Sequence, residues 1–310
     1  MRIGMAFGDV RGPSPLPVIT RQIHEAAAAG VRSAWISDGV GWDALTALAA
    51  VGPVPPGLEL GTAVVPFPQR HPLLLARQVL TTQAALGHPL TLGIGAGIAR
   101  MVETMYGFPT TRPAARLREY LEVLHPLLQG KPVDHHGEYY TAVAELTRPT
   151  AGPGAGADGV GLPAPSVLVA ALGPVMLKVA GELAAGTVTW MTGPRTLGEH
   201  VVPVITRAAG GRVPRVVAGF AVCLTSDEDA VRARFGAEFA LAGQVPEYRA
   251  MLDREGAAGP ADVLLVGDEA AIAKQLDRIR DAGATDVMLA PIGTADEQRR
   301  TTEFLSTIGG

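Results

Sequence analysis

The chain predicts an α/β fold, a (β/α)8 TIM barrel of eight parallel strands, on three observations. Apolar strand-like runs alternate with helical patterns from one end of the 310 residues to the other. Eight such runs can be placed, and the last, Asp286–Ala290, lies close to the C-terminus. Alternation alone also suits an open Rossmann-like sheet; eight units and a late final strand favour closure. Residues 1–310 read as a single domain.

Each element has its own local signal. Ile3–Phe7 is apolar and bounded by Gly8, so it reads as the first strand. Pro17–Ala29 follows as a helix with Gly30 as its stop signal. Ser33–Asp38 is a short buried strand, and a short Ala-rich helix comes after Trp42. Leu60–Val65 is the third strand, and His71 opens the third helix. Leu90–Ile94, the fourth strand, leads to the clearest helix. There Leu117, Leu121, Leu124 and Leu128 share one face, with Pro113 in the first turn and Gly130 at the end. Gly137–Pro165 breaks the rhythm and reads as an insertion after this fourth helix, a loop near the active-site face. Ser166–Ala171, Thr187–Met191 and Val216–Cys223 supply strands five to seven. Thr225-Ser226-Asp227-Glu228 reads as a capping box for the seventh helix. Pro246–Gly267 is a second insertion, before the eighth helix, where Ile272, Leu276 and Ile279 share a face. Ala29-Gly30-Val31 and Ala282-Gly283-Ala284 precede two of the strands, as stacked βα units would have it.

Composition excludes several classes. Hydrophobic residues make up 47% of the chain but aromatics only 5%, so Ala, Val and Leu must fill the core. Net charge is -4 and no basic run occurs, which argues against nucleic acid. The uncharged stretches 78–99 and 159–177 are broken by Gly and Pro, so no membrane span is expected. A single cysteine, Cys223, excludes an internal disulfide and fits a reducing, cytoplasmic setting. It sits in a strand-like run as a small apolar residue. The start of the chain enters a strand at once, with no secretory leader. The seven histidines form no metal set, and His135-His136 would point apart in a strand. No Gly-x-Ser-x-Gly elbow is present.

In such barrels the chemistry sits at the carboxyl ends of the strands. Here those ends are small, apolar and Gly-rich, which suits a flat cofactor better than a hydrolytic constellation. Gly93-Ile94-Gly95-Ala96-Gly97 lacks the third glycine of the dinucleotide fingerprint, because Ile98 stands there. Either it lets backbone approach a ring system, or it is a plain strand-to-loop turn. Leu172-Gly173-Pro174 either presents helix N–H groups to a phosphate, with Lys178 one turn on, or is a tight βα turn. Asp38 either contacts a ligand or caps the following segment, and Trp42 walls a ring pocket or packs in the core.

Several stretches together resemble the luciferase-like monooxygenase superfamily and its coenzyme F420-dependent branch. They are Leu60-Gly61-Thr62-Ala63-Val64, Arg70-His71-Pro72, Ala76-Arg77-Gln78, Leu92-Gly93-Ile94-Gly95, Arg112-Pro113 with Leu117-Arg118-Glu119-Tyr120-Leu121, and Gly267-Asp268. The resemblance implies a cis non-prolyl bond at Ala63–Val64, beside Thr62, supporting an isoalloxazine-type ring. It implies that Leu172 and Gly173 hold the cofactor phosphate and that Asp38, the acid ending strand two, contacts the cofactor; Thr62, Gly95, Ala96 and Gly97 are expected beside them as further cofactor contacts. It also implies a homodimer acting on a small-molecule substrate.

Two departures bear on the chemistry. Sugar-phosphate and alcohol dehydrogenases of this family have His after the strand-two acid, where this chain has Gly39. The sugar-phosphate enzymes have Glu after the strand-four glycines, where this chain has Ile98. The usual acid–base pair is therefore missing, leaving Asp9, Asp38, Glu103, Tyr106 or a substrate group to handle a proton. The expected activity is hydride transfer from reduced F420 to a C=C or C=N bond, with Asp38 as the catalytic residue. The alternatives are an FMN-dependent monooxygenase and a non-catalytic flavin- or deazaflavin-binding protein.

Overall fold

Eight apolar runs do form eight parallel strands in the computed structural model, which describes residues 1–8, 15–39, 41–147 and 162–309. Asp9 and residues 148–161 of the first expected insertion lie outside the described residues. The barrel strands are β1 (Arg2–Phe7), β2 (Ser33–Ile36), β3 (Glu59–Thr62), β5 (Leu90–Gly95), β8 (Ser166–Ala170), β9 (Gly186–Trp190), β10 (Arg215–Leu224) and β12 (Asp286–Pro291). Each pairs in parallel with the next, and β12 returns to β1 through Arg2–Asp286 and Ile3–Val287, closing the barrel. Helices α1 (Leu16–Ala28), α2 (Ala44–Val51), α3 (Pro72–Leu86), α5 (Pro113–Leu128) and α6 (Pro174–Leu183) alternate with them. A shorter α4 (Ala99–Tyr106) follows β5, and α7 (Pro194–Thr196) runs through a π turn into α8 (Val202–Ala208).

Side-chain size decides how the inside is filled. Trp35 on β2 is fully buried with Leu168, Val188, Val217 and Met288. Its indole N–H donates to Ser33 Oγ at 2.9 Å. A Cβ at Gly61 would stand 2.5 Å from the Trp35 ring, so glycine there leaves room for one large ring on the axis. Below it Arg215 donates to Asp286 Oδ1 at 2.7 Å and Glu59 Oε2 at 2.9 Å, and its guanidinium lies 5.5 Å from the Trp35 ring centre. The second, larger core lies between strands and helices, where α5 buries Leu117, Tyr120, Leu121, Leu124 and Leu128.

Five local readings change. Leu60–Val65 is not one strand. β3 stops at Thr62, the Ala63–Val64 peptide is cis, and β4 (Val65–Pro66) rejoins β5 at Ile94 and Gly95. Gly61 faces Thr91 and Val65 faces Ile94, so one side carries an extra residue, a bulge. An antiparallel hairpin, β6 (Val133–His136) and β7 (Thr141–Ala144), spans the start of the insertion after the fourth helix, which opens as the hairpin's turn and second strand rather than a loop. Glu119 on α5 holds it by accepting from the backbone N–H groups of Tyr139 and Tyr140.

Thr225 does not cap α9 (Glu228–Glu238). It still belongs to the strand end, where its N–H bonds Gly267 O, and Asp227 caps the helix by accepting from Ala230 N at 3.1 Å. The Pro246–Gly267 segment is also ordered: α10 (Pro246–Glu255), a 3-10 turn, and β11 (Leu265–Gly267) added to the edge of β10. Finally, α11 (Glu269–Asp281) is not the last helix, because α12 (Ala295–Ile308) follows β12. Its signature is a true capping box in which Thr294 and Glu297 satisfy each other's backbone N–H groups.

Candidate active site

The carboxyl ends of the barrel strands open into a cavity of about 1740 Å3. Gly8 follows β1 there, Asp38 and Gly39 follow β2, and Ala63, Val64 and Pro66 come from the bulge. Gly95 ends β5 with Ala96, Gly97 and Ile98 after it, Leu172 and Gly173 follow β8, Trp190 ends β9, and Ile292 follows β12. All but one of the sequence-predicted contact residues therefore meet in one space.

The exception is Thr62. It is fully buried within the sheet, where its hydroxyl donates to Gly93 O and accepts from Gly93 N, both at 2.9 Å. It does not line the cavity; it ties the strand below the bulge to β5.

Val64 forms the floor, and the glycines beside it explain how. A Cβ at Gly93 would meet Thr62 O at 2.2 Å and Val64 Cγ1 at 3.1 Å. One at Gly95 would meet Val64 Cγ2 at 2.9 Å and Ala170 Cβ at 3.1 Å. Neither open reading of the glycine run is the whole account: Gly93 and Gly95 let the bulge seat Val64 against the sheet. Only Gly97, at φ +72°, is a turn that favours glycine for its backbone.

Asp38 fulfils both of its readings. It borders the cavity, and its Oδ2 accepts from Ala44 N at 3.4 Å and from Arg70 Nη2 at 3.0 Å. The N-cap of α2 proper is Asp43, which accepts from Thr46 N at 2.7 Å and from Arg70 Nη2 at 2.6 Å. Asp38 Oδ1 makes no hydrogen bond among the described residues. Burial pushes the Asp38 carboxyl above the usual carboxylate range, with the Arg70 charge opposing the rise. For Asp43 burial also acts upward, but bonds from Thr46 and the Arg70 charge outweigh it and the net direction is down.

Gly173 is the N-cap of α6, and Pro174 takes its first position. Among the described residues no atom beyond its chain neighbours lies within 4 Å of where a Gly173 Cβ would stand, so the helix start faces open space. His200 Nε2 donates to Leu172 O at 2.8 Å and fixes the approach. Lys178 does not contribute: it is 67% exposed and sits 3.8 Å from Glu182.

Of the other proton-handling candidates, Tyr106 lines the cavity; the remaining candidates fall away. Trp42 packs on the main core and His71 caps α3 by accepting from Leu73 N. Glu103 is exposed and accepts from Thr110. Cys223 is buried, and desolvation pushes its thiol up to about 11. Among the described residues no group of His, Cys, Asp and Glu is disposed for a metal, and no helix is long and apolar enough to cross a membrane. The sequence reading missed Met101, Met105, Phe239 and Tyr248, which line the same cavity. Val245-Pro246 followed by Tyr248, Met251 and Leu252 carried a helix signal that would have found the last.

An apolar floor, an open helix start and Asp38 at the strand ends place a cavity where a TIM barrel collects its chemistry. The family model for luciferase-like monooxygenases matches residues 4–299, and the chain belongs to that family. A curated relative, 5,10-methylenetetrahydromethanopterin reductase of Methanopyrus kandleri, is 26% identical over 344 residues, covering 95% of each chain. Among solved structures, an F420-dependent secondary alcohol dehydrogenase in complex with an F420–acetone adduct superposes with TM-score 0.78 at 16% identity, covering 99% of this chain and 97% of that one. The FMN-bound oxygenating constituent of 3,6-diketocamphane monooxygenase from Pseudomonas putida gives 0.75 at 18%, covering 99% and 97%.

Proposed function

We propose that the chain is an oxidoreductase that binds coenzyme F420 and reduces a C=C or C=N bond of a small organic substrate. The observation that carries the reading is the pairing of the Val64 floor with the α6 start at Gly173 on one cavity. A flat ring suits the floor of Ala63, Val64 and Ala170, and a phosphate suits the free N–H groups of a helix start. The solved coenzyme F420-dependent tetrahydromethanopterin reductase of Methanopyrus kandleri and the neighbour with an F420 adduct support the same cofactor. When bound, the reduced deazaflavin supplies a hydride.

The chain's own residues supply the rest. The apolar floor excludes water from the ring face. The other atom of the reduced bond needs a proton, and Asp38 is the group that holds it: its Oδ2 is anchored, its Oδ1 has no hydrogen-bond partner among the described residues, and burial favours the protonated form. Gly39 and Ile98 line the cavity where other members carry ionisable groups, so Asp38 acts without an imidazole neighbour at its side. A homodimer is part of this reading, checked by light scattering.

The test is a titration of the purified protein with F420 and with FMN. Micromolar binding of F420 is expected; binding of FMN alone overturns the reading in favour of the monooxygenase, which the FMN-bound neighbour supports. Turnover of any acceptor with reduced F420 removes the idle-binder alternative.

A further inference from the structure

We infer that the substrate half of this cavity takes an uncharged, apolar molecule, held against a wall made by Met101 and Met105 of α4. This rests on the cofactor reading above, which assigns the strand-end half to the ring.

Helix α4 buries only Val102. Met101 and Met105, four residues apart and so on one face, are 40% and 48% exposed, and both line the cavity. Methionine is flexible and polarizable, which suits a wall that moulds to an irregular apolar ligand. Phe239 and Tyr248 line the same cavity beyond α9 and within α10, adding aromatic surface.

Charge points the same way. Among the described residues the cavity's cations, Arg234 and Arg299, are already engaged: Arg234 lies 3.4 Å from Glu297, and Arg299 lies 2.9 Å from Glu303 and 2.5 Å from Asp296. Glu25, Asp38 and Glu247 border the same space. A carboxylate substrate would lose its hydration beside these acids with no uncommitted cation in return among the described residues. A neutral ketone, alkene or imine loses far less.

The experiment follows the uncharged dye Nile red by fluorescence, with F420 present, in the native protein, Met101→Glu/Met105→Glu and Met101→Leu/Met105→Leu. Both positions are partly exposed, so either pair of substitutions leaves the fold in place, checked by thermal melting. Native protein and the Leu pair are expected to bind the dye alike, and the Glu pair about tenfold more weakly, with F420 affinity unchanged. 2-Undecanone should displace the dye at about tenfold lower concentration than undecanoate. Equal dye binding by the Glu pair, or undecanoate competing as well as 2-undecanone, overturns the inference. So does a dimer that the Glu pair breaks, which would make α4 a contact between copies. If F420 fails to bind while the dye follows Met101 and Met105, the cofactor reading falls and the apolar site stands.

Discussion

Arg70 Nη2 stands 3.0 Å from Asp38 Oδ2 and 2.6 Å from Asp43 Oδ2, so one guanidinium bridges a cavity carboxylate and a helix cap. Asp38 at 9% exposure and Arg70 at 14% are largely buried, and Asp43 at 34% is partly exposed. Asp38 is thereby held in one orientation by a residue that does not itself line the cavity.

Asp38→Asn keeps the shape and removes the exchangeable proton. F420 affinity should stay within about threefold while turnover falls about 10²–10⁴-fold, the usual span for losing a general acid. Arg70→Met removes the charge that opposes burial, so the Asp38 carboxyl should rise further. If Asp38 acts as the acid, the fall in rate at high pH then moves to higher pH. A pH–rate profile of both variants decides it.

The same trio links stability to pH in opposite senses. Asp38, raised by burial, binds its proton more tightly in the folded chain, so its contribution is full below the unfolded pKa and is lost as pH rises through the folded value. Asp43, lowered overall, contributes above its unfolded pKa and loses that as pH falls through its folded value. Urea unfolding of Asp38→Asn should gain on the native protein as pH rises. Asp43→Asn should lose least against the native protein at acid pH.

Gly93→Ala tests the floor. The new Cβ would fall 2.2 Å from Thr62 O, which is backbone and cannot swing aside. A loss of about 1–3 kcal/mol is expected in denaturant unfolding, together with weaker F420 binding as Val64 moves.

Gly173→Asp tests the α6 start. The space there is open, so the fold should survive, but a carboxylate would occupy the place of an anion at the helix N-terminus. F420 affinity should fall by about tenfold or more, and raised salt should reduce the gap.

Asp286→Ala tests the opposite end of the barrel. Asp286 is 1% exposed and lies 2.8 Å from Arg2 and 2.7 Å from Arg215. Its removal strands Arg215 partly uncompensated and should cost about 3–5 kcal/mol in stability. F420 affinity of the folded protein should not change, because the cavity lies at the other ends of the strands.

The sequence by itself determined the barrel. Strands at Ile3, Ala34, Leu60, Leu90, Ser166, Thr187, Val216 and Asp286 all form, because buried parallel strands are written as continuous apolar runs and their helices as periodic ones. The strand ends it defined also placed Asp38 and Leu172-Gly173 on the cavity, whereas the cis bond at Ala63–Val64 was expected only from the family resemblance. What it could not hold was distance. Thr62 reads like its neighbours Ala63 and Val64, yet its hydroxyl is spent on Gly93 inside the sheet. Arg70 and Asp38 are 32 residues apart, and nothing local pairs them. Met101 and Tyr248 meet on one cavity only because the barrel closes. Patterning of apolar residues is a property of neighbours along the chain, whereas a site is made by residues that packing alone brings together.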